Sequence, residues 1–224
     1  MHYIYSNQPV TSAAEHVAQV ITQHLNAGEQ VLWLLSGGSG VAVAVAAAQQ
    51  LQGIDLKKLS VTLTDERYGK LGHADENWQQ LLDAGLSLPG AKLYRPLHGN
   101  DRTATTIAFE SWIKTQLTAA DYAIGIFGIG SDGHTAGIKP HTSATSAGKF
   151  ATDFSGDDFE RITITYQTII RLDEAVIQAT GADKRPIIER LLHERPSLND
   201  FPASILHKIP LVTLYTNNTL EEPS

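Results

Sequence analysis

Apolar positions along the chain fall into two kinds of pattern. Short apolar runs lie at 31–35, 61–63, 122–127, 175–179 and 211–215, and their length and β-branched content predict buried strands. Between most of them the apolar spacing is helical, over 12–25, 41–51, 77–82, 103–117 and 184–192,. Strands alternating with helices predict βαβ units, hence an α/β fold with a mainly parallel, Rossmann-like (doubly wound) sheet and helices on both faces. Residues 161–165, Arg-Ile-Thr-Ile-Thr, alternate polar and apolar, which predicts a half-exposed or edge strand,. From 141 to 160 Ser, Thr, Gly and Asp dominate without a helical period, which predicts a long loop over a site or at its rim,. The polar tail 217–224 is expected to fray.

A length of 224 residues suits one α/β core,. The runs on either side of 141–160 have the same character, so residues 1–224 are expected to form a single domain. No run of 18 apolar residues offers a membrane span, the first residues lack the basic start of a secretory signal, and the chain has no cysteine,. A cytoplasmic location is the expectation. The net charge of −7 argues against nucleic-acid and anionic-membrane partners,. It leaves open an anionic small molecule, which local donors bind regardless of overall charge.

Four strand ends carry candidate chemistry. After 31–35 come Ser36, Gly37, Gly38, Ser39 and Gly40. Residues without side chains let main-chain N–H groups approach an anion, the following helix start favours it, and Ser39 adds a hydroxyl. The alternative is a tight strand-to-helix turn. The spacing is neither that of a P-loop nor that of a dinucleotide fingerprint, which disfavours ATP and NAD. After 61–63 come Thr64, Asp65, Glu66 and Arg67. Their groups suit orienting a substrate and a water, and the Arg67 fork suits phosphate or carboxylate oxygens; the alternative is a solvated, internally paired turn. Glu76 and Asn77 open a helix, which capping alone would explain. After 175–179 come Gly181 and Lys184, an ammonium able to reach a phosphate, or a solvated lysine in a first helical turn,.

The fourth strand end is the richest, running Gly128-Ile129-Gly130-Ser131-Asp132-Gly133-His134-Thr135. Three glycines in six residues allow a sharp path that holds an imidazole in a cleft. Imidazole, with a usual pKa of about 6.5, is the side chain best matched to taking a proton from water near neutral pH. The alternative is a surface histidine in a structural turn, the reading that suits His2, His16, His24, His193 and His207. No His/Cys spacing suggests zinc, no acidic loop suggests calcium, and there is no Gly-x-Ser-x-Gly elbow. Neither a metal nor another cofactor is expected.

In this order these segments resemble the 6-phosphogluconolactonases, the lactonase branch of a superfamily that also holds glucosamine-6-phosphate deaminases and isomerases. The resemblance rests on Ser36–Ser39, Asp65-Glu66-Arg67 with Asn77 downstream, Gly128 to Ala136, 161–165, Gly181 to Lys184 and Pro202-Ala203-Ser204. It implies a NagB-like fold and hydrolysis of a phosphosugar lactone, 6-phospho-D-glucono-1,5-lactone, to 6-phospho-D-gluconate in the oxidative pentose phosphate pathway. His134 would be the general base that activates water, with Asp132 or Asp65 orienting histidine or water. Gly37, Gly38, Ser39 and Lys184 would hold the 6-phosphate, Arg67 an anionic or polar part of the substrate, and Asn77, Gly130 and Gly133 would complete the binding set. Arg67 and Thr135 favour the lactonase branch; the alternatives are deamination of an amino-sugar phosphate and non-catalytic sugar-phosphate binding. The chain departs from the branch at Gly40-Val41, at Glu76, and at Gly137-Ile138-Lys139, where Lys139 either sets a positive charge beside the site or points outward.

Overall fold

The computed structural model describes residues 1–219. In chain order the elements are β1 (His2–Tyr5), α1 (Pro9–Asn26), β2 (Val31–Leu35), α2 (Gly40–Gln50), β3 (Leu59–Leu63), β4 (Asp65–Arg67) and α3 (Asn77–Asp83). Then come β5 (Lys92–Leu93), α4 (Arg102–Ala119), β6 (Tyr122–Phe127), a 3-10 turn Ser143–Ser146, β7 (Ala151–Ser155), β8 (Glu160–Ile164) and α5 (Tyr166–Ile169). The chain closes with β9 (Glu174–Gln178), a 3-10 turn Ala182–Lys184, α6 (Arg185–His193), a 3-10 turn Pro202–Lys208 and β10 (Leu211–Thr216).

Seven strands form one sheet in the order β1-β10-β9-β6-β2-β3-β5. Every pairing in it is parallel. Both faces are covered, and the period of two assigns each strand residue to one of them. Leu32 and Leu34 of β2, Phe127 of β6 and Ile177 of β9 pack with Phe109 and Ile113 of α4 and Ile187, Ile188 and Leu191 of α6. Val31, Trp33, Leu35, Ile124, Ile126 and Val176 point the other way, into Val17 and Ile21 of α1 and Val43, Ala44 and Ala47 of α2. The alanine-rich face of α2 lets it lie close to α1 and the sheet. This is the expected doubly wound fold. Strands are added outward from β2 toward β5 and outward from β6 toward β10, so the winding reverses between β2 and β6. A crevice opens there beyond the carboxyl ends of the strands, where ligands of such sheets collect. No helix among the described residues is long and apolar enough to cross a membrane.

Four expectations need correction. Residues 161–164 are not an edge: β8 is the middle strand of a second, antiparallel sheet, β4-β8-β7, and all four are buried. Its polar alternation reflects Arg161, which faces the candidate site, and Thr163, which is buried and accepts the Gly137 N–H at 3.0 Å. The stretch 141–160 is a 3-10 turn and one strand of the β7–β8 hairpin, in which main-chain pairing replaces the missing apolar period. At the tail, Asn217 Oδ1 accepts from the Gly181 N–H at 3.0 Å, and Asn218 Nδ2 donates to the Gly181 carbonyl at 2.9 Å. These residues are tied to the Gly181 turn; 220–224 lie outside the described residues. His16 likewise is no free surface histidine, since it joins α1 to Glu174 at 2.7 Å and to the Tyr215 hydroxyl at 2.8 Å.

Candidate active site

The carboxyl ends of β2, β3, β6 and β9 and the edge of the small sheet converge on a cavity of about 310 Å³. A larger groove of about 510 Å³, lined by Glu15, Gln19 and Gln23 of α1 and Gln50 of α2, shares no residue with it. Among the described residues no group of three or more His, Asp or Glu is placed to hold a metal ion.

Two glycine loops shape the cavity floor. A Cβ on Gly37 would lie 2.3 Å from Asn77 Oδ1, so the first loop closes against Asn77 only because residue 37 is glycine, and Gly38 turns the chain with φ +57°,. Ser39 then caps α2 without a side-chain bond, which leaves its hydroxyl in the cavity wall. In the second loop the Gly130 N–H donates to the His134 carbonyl at 2.9 Å and the Gly133 N–H to the Gly130 carbonyl at 3.0 Å. A Cβ on Gly130 would fall 2.1 Å from His134 Nδ1, and one on Gly133 2.3 Å from Phe201. Gly130 therefore makes room for the imidazole and Gly133 for the wall behind it.

Within this loop the Asp132 carboxylate takes both the His134 N–H, at 3.1 Å, and the imidazole Nδ1, at 2.6 Å. The side-chain bond to His134 pulls the Asp132 carboxyl down to about 2. A carboxylate on Nδ1 fixes the tautomer with the proton there and leaves Nε2 as an acceptor. Ala136, just beyond, adopts φ 49°, a left-handed backbone rarely taken by a residue with a Cβ,.

The third wall comes from the small sheet. Asp65 is buried, receives the Thr64 hydroxyl at 2.9 Å, and stands 3.9 Å from Arg161 Nη1. Burial raises its carboxyl above the usual range, against the pull of Arg161. The guanidinium of Arg67 lies over the Phe159 ring at 4.6 Å and that of Arg161 at 5.6 Å. The Nε of each arginine is buried without a hydrogen-bond partner. Asn77 donates from Nδ2 to the Asp65 carbonyl at 2.9 Å, and its buried Oδ1 has no partner.

The start of α3 is capped from outside the helix. Glu66 Oε1 accepts the N–H groups of Arg67 and Asn77, both at 2.7 Å, and Oε2 that of Trp78 at 3.0 Å. Burial nevertheless pushes its carboxyl up to about 8. Glu76, at the N-cap position, instead binds Arg95 at 2.6 and 2.7 Å and the Gly72 N–H at 2.6 Å. One inaccessible carboxyl group thus fixes where Arg67 and Asn77 meet the cavity. Lys184 reaches in from the opposite side and donates to the Ile129 carbonyl at 3.0 Å.

Of the residues picked from sequence, Gly37, Gly38, Ser39, Asp65, Arg67, Asn77, Gly130, His134 and Lys184 line this one cavity. Asp132 and Gly133 do not; they sit behind His134. Arg161 and Asp158 also line it and were assigned no role from sequence. A charged residue within the alternation at 161–165 was the available signal for Arg161. Asp158, in a polar Gly-Asp-Asp turn, offered none. Lys139 points to the side, pairing with Asp158 at 3.3 Å and lining an adjoining cavity of about 210 Å³ with Asp132 and Thr142.

Known proteins share this fold and sequence pattern. The 6-phosphogluconolactonase of Helicobacter pylori is 26% identical over 213 residues, 91% of this chain and 92% of the relative. That of a Nostoc species is 29% identical over 179 residues, 74% and 72% of the two chains. Among solved structures, 6-phosphogluconolactonase from Thermotoga maritima superposes with a TM-score of 0.78 at 19% identity, covering 96% of this chain and 97% of the other. A monomeric glucosamine-6-phosphate deaminase superposes with a TM-score of 0.80 at 19% identity over the same shares, so the fold is common to both chemistries. Residues 6–214 match the sequence pattern of "Glucosamine-6-phosphate isomerases/6-phosphogluconolactonase", which spans both glycine loops, both arginines and Lys184. By its sequence pattern and its fold, the chain belongs to the glucosamine-6-phosphate isomerase/6-phosphogluconolactonase family.

Proposed function

We propose that this chain hydrolyses 6-phospho-D-glucono-1,5-lactone to 6-phospho-D-gluconate, with His134 as the general base. The observation that carries the reading is the Asp132–His134 pair at 2.6 Å, presented to a cavity whose other walls hold Arg67, Arg161 and Lys184. Cations on the walls suit a phosphorylated substrate, and the glycine loop at Gly37, Gly38 and Ser39 adds N–H and hydroxyl donors. Asp132 is the residue that orients the imidazole; Asp65, on Thr64 and near Arg161, holds the arginine side of the cavity.

In the reaction, Nε2 of His134 takes a proton from water as its oxygen bonds to the lactone carbonyl carbon. The addition leaves a tetrahedral oxyanion on the former carbonyl oxygen. Collapse re-forms the carbonyl and breaks the bond to the ring oxygen, which takes the proton back from the imidazolium. The product is the open-chain acid, which ionises. A δ-lactone already opens in water, so a positioned base worth roughly a hundredfold or more is sufficient catalysis. The reading takes residues 1–224 as one domain acting on a small molecule, in the cytoplasm, without nucleic acid or membrane.

The test is the spectrophotometric decay of freshly generated lactone with and without the protein. His134→Ala is expected to lower the catalysed rate by about a hundredfold or more; an unchanged rate removes His134 from the mechanism. Ammonia release from glucosamine 6-phosphate, with no lactone decay, would move the chain to the deaminating branch.

A further inference from the structure

The cavity is an anion site that already contains an anion. Its cations are Arg67, Arg161 and Lys184, and its carboxylates are Asp65 and Asp158. Asp65 is buried and fixed by Thr64 and Asn77, so it belongs to the wall. Asp158 differs. It sits in the turn of the β7–β8 hairpin with its side chain 42% exposed, and it binds Arg161 Nη2 through Oδ2 at 2.7 Å. The Arg161 side chain is only 10% exposed and lines the cavity beside Asp158, so a ligand that reaches this guanidinium meets Asp158 on it. The other oxygen, Oδ1, points out of the cavity, to Lys139 at 3.3 Å and to the Phe159 N–H at 2.9 Å. Burial works against this carboxylate, but its bonds to Arg161 and Lys139 outweigh that and hold it far below the usual range, so it is charged at every working pH.

We propose that Asp158 is a built-in competitor for the anionic group of the substrate at Arg161, and that Lys139, already on its other oxygen, is the partner that holds it when it withdraws. The inference rests on the phosphosugar reading of this cavity. A ligand phosphate takes Arg161 only when Asp158 leaves it, so the apparent affinity equals the intrinsic affinity reduced by the fraction of time the arginine is open. Lys139 stands at the adjoining cavity and raises that fraction by receiving the displaced carboxylate without leaving it unpaired. The product carries a phosphate and a newly formed carboxylate. A tethered carboxylate returning to Arg161 weakens the hold on it and favours release.

The two ends of one ion pair should then act with opposite sign. Inorganic phosphate titrated calorimetrically into the full chain is expected to bind Asp158→Asn roughly three- to tenfold more tightly than wild type, and Lys139→Gln more weakly by a similar factor. The double variant should follow Asp158→Asn, because Lys139 acts only through Asp158. The lactone KM should move in the same directions. Thermal melts confirm folding, and the asparagine retains the oxygen that accepts the Phe159 N–H. Weaker or unchanged phosphate binding in Asp158→Asn, or weakening in both single variants, overturns the proposal, because a merely structural brace gives that result. Absence of phosphate binding in all four proteins overturns it too. Lactone turnover in the same preparations reports on the reading beneath: opposite-signed binding without turnover would sink the lactonase assignment alone.

Discussion

The two sheets build one cavity from opposite materials. The seven-stranded sheet contributes main chain: its loops after β2 and β6 approach Asn77 and His134 at distances only glycine allows. The three-stranded sheet contributes charge, placing Asp65, Arg67 and Arg161 on strands and Asp158 on a turn. The first is covered on both faces by apolar side chains, so its loops are fixed by the core. The second buries Ile162, Ile164 and Phe154 in the main core while turning Arg161 toward the cavity. Shape and electrostatics thus rest on different elements and can be disturbed separately.

The largest expected effect on that division is Arg161→Ala. Loss of a charged, nearly buried donor should raise the lactone KM by about ten- to a hundredfold, while Arg161→Lys, which keeps a cation beside Asp65 and Asp158, should keep the unfolding temperature and still raise KM; an unchanged KM in both variants would remove Arg161 from substrate binding. Gly37→Ala attacks the other sheet. Its Cβ would meet Asn77 Oδ1 at 2.3 Å, and a destabilisation of about 1–3 kcal/mol is expected in denaturant unfolding, accompanied by a higher KM as Asn77 shifts.

Glu66 joins the two regions, and its titration sharpens the boundary. Burial holds its proton to about pH 8 in the folded protein, against 4.5 ordinarily. The folded state therefore binds more protons across that window, and this group's contribution to stability falls as pH rises from about 4.5 to about 8,. Melting temperatures of Glu66→Gln should show a flatter decline over that range than wild type; parallel profiles would remove Glu66 as the source. Asp132, held at about 2, acts in the opposite sense, with stability lost as pH falls below the usual carboxylate range,. The smallest effect belongs to Ala136→Gly. Relief of a left-handed backbone at φ 49° should add about 1 kcal/mol, or roughly 2–4 °C, and a lower melting temperature would mean that residue 136 is not strained.

The same contrast explains what the amino-acid order revealed. Strands β2, β6 and β10 are apolar throughout or nearly so, and their helices carry a clear period, so the large sheet and its loops at Gly37–Ser39 and Gly128–His134 were legible. The small sheet was not. β4 reads Asp-Glu-Arg and β8 Glu-Arg-Ile-Thr-Ile, compositions that suggest solvent, yet Asp65, Glu66, Arg161 and Thr163 are buried because each finds partners from distant elements. Such pairing has no local signature. Arg67 was legible because it follows a strand directly; Asp158 was not, since its importance comes only from the residue its hairpin brings it to.

The parallel pairing of β1 with β10 sets His2 beside Thr213 and Tyr5 beside Thr216. During synthesis the first strand therefore has no edge to join until the last one emerges, a wait of roughly 10–40 s at ordinary elongation rates. Over that interval its backbone edge has no partner within the sheet, and two of its residues, Ile4 and Tyr5, are exposed even in the finished fold. The last pairing of the large sheet thus joins its earliest strand to its latest, the longest sequence separation among its strand pairs.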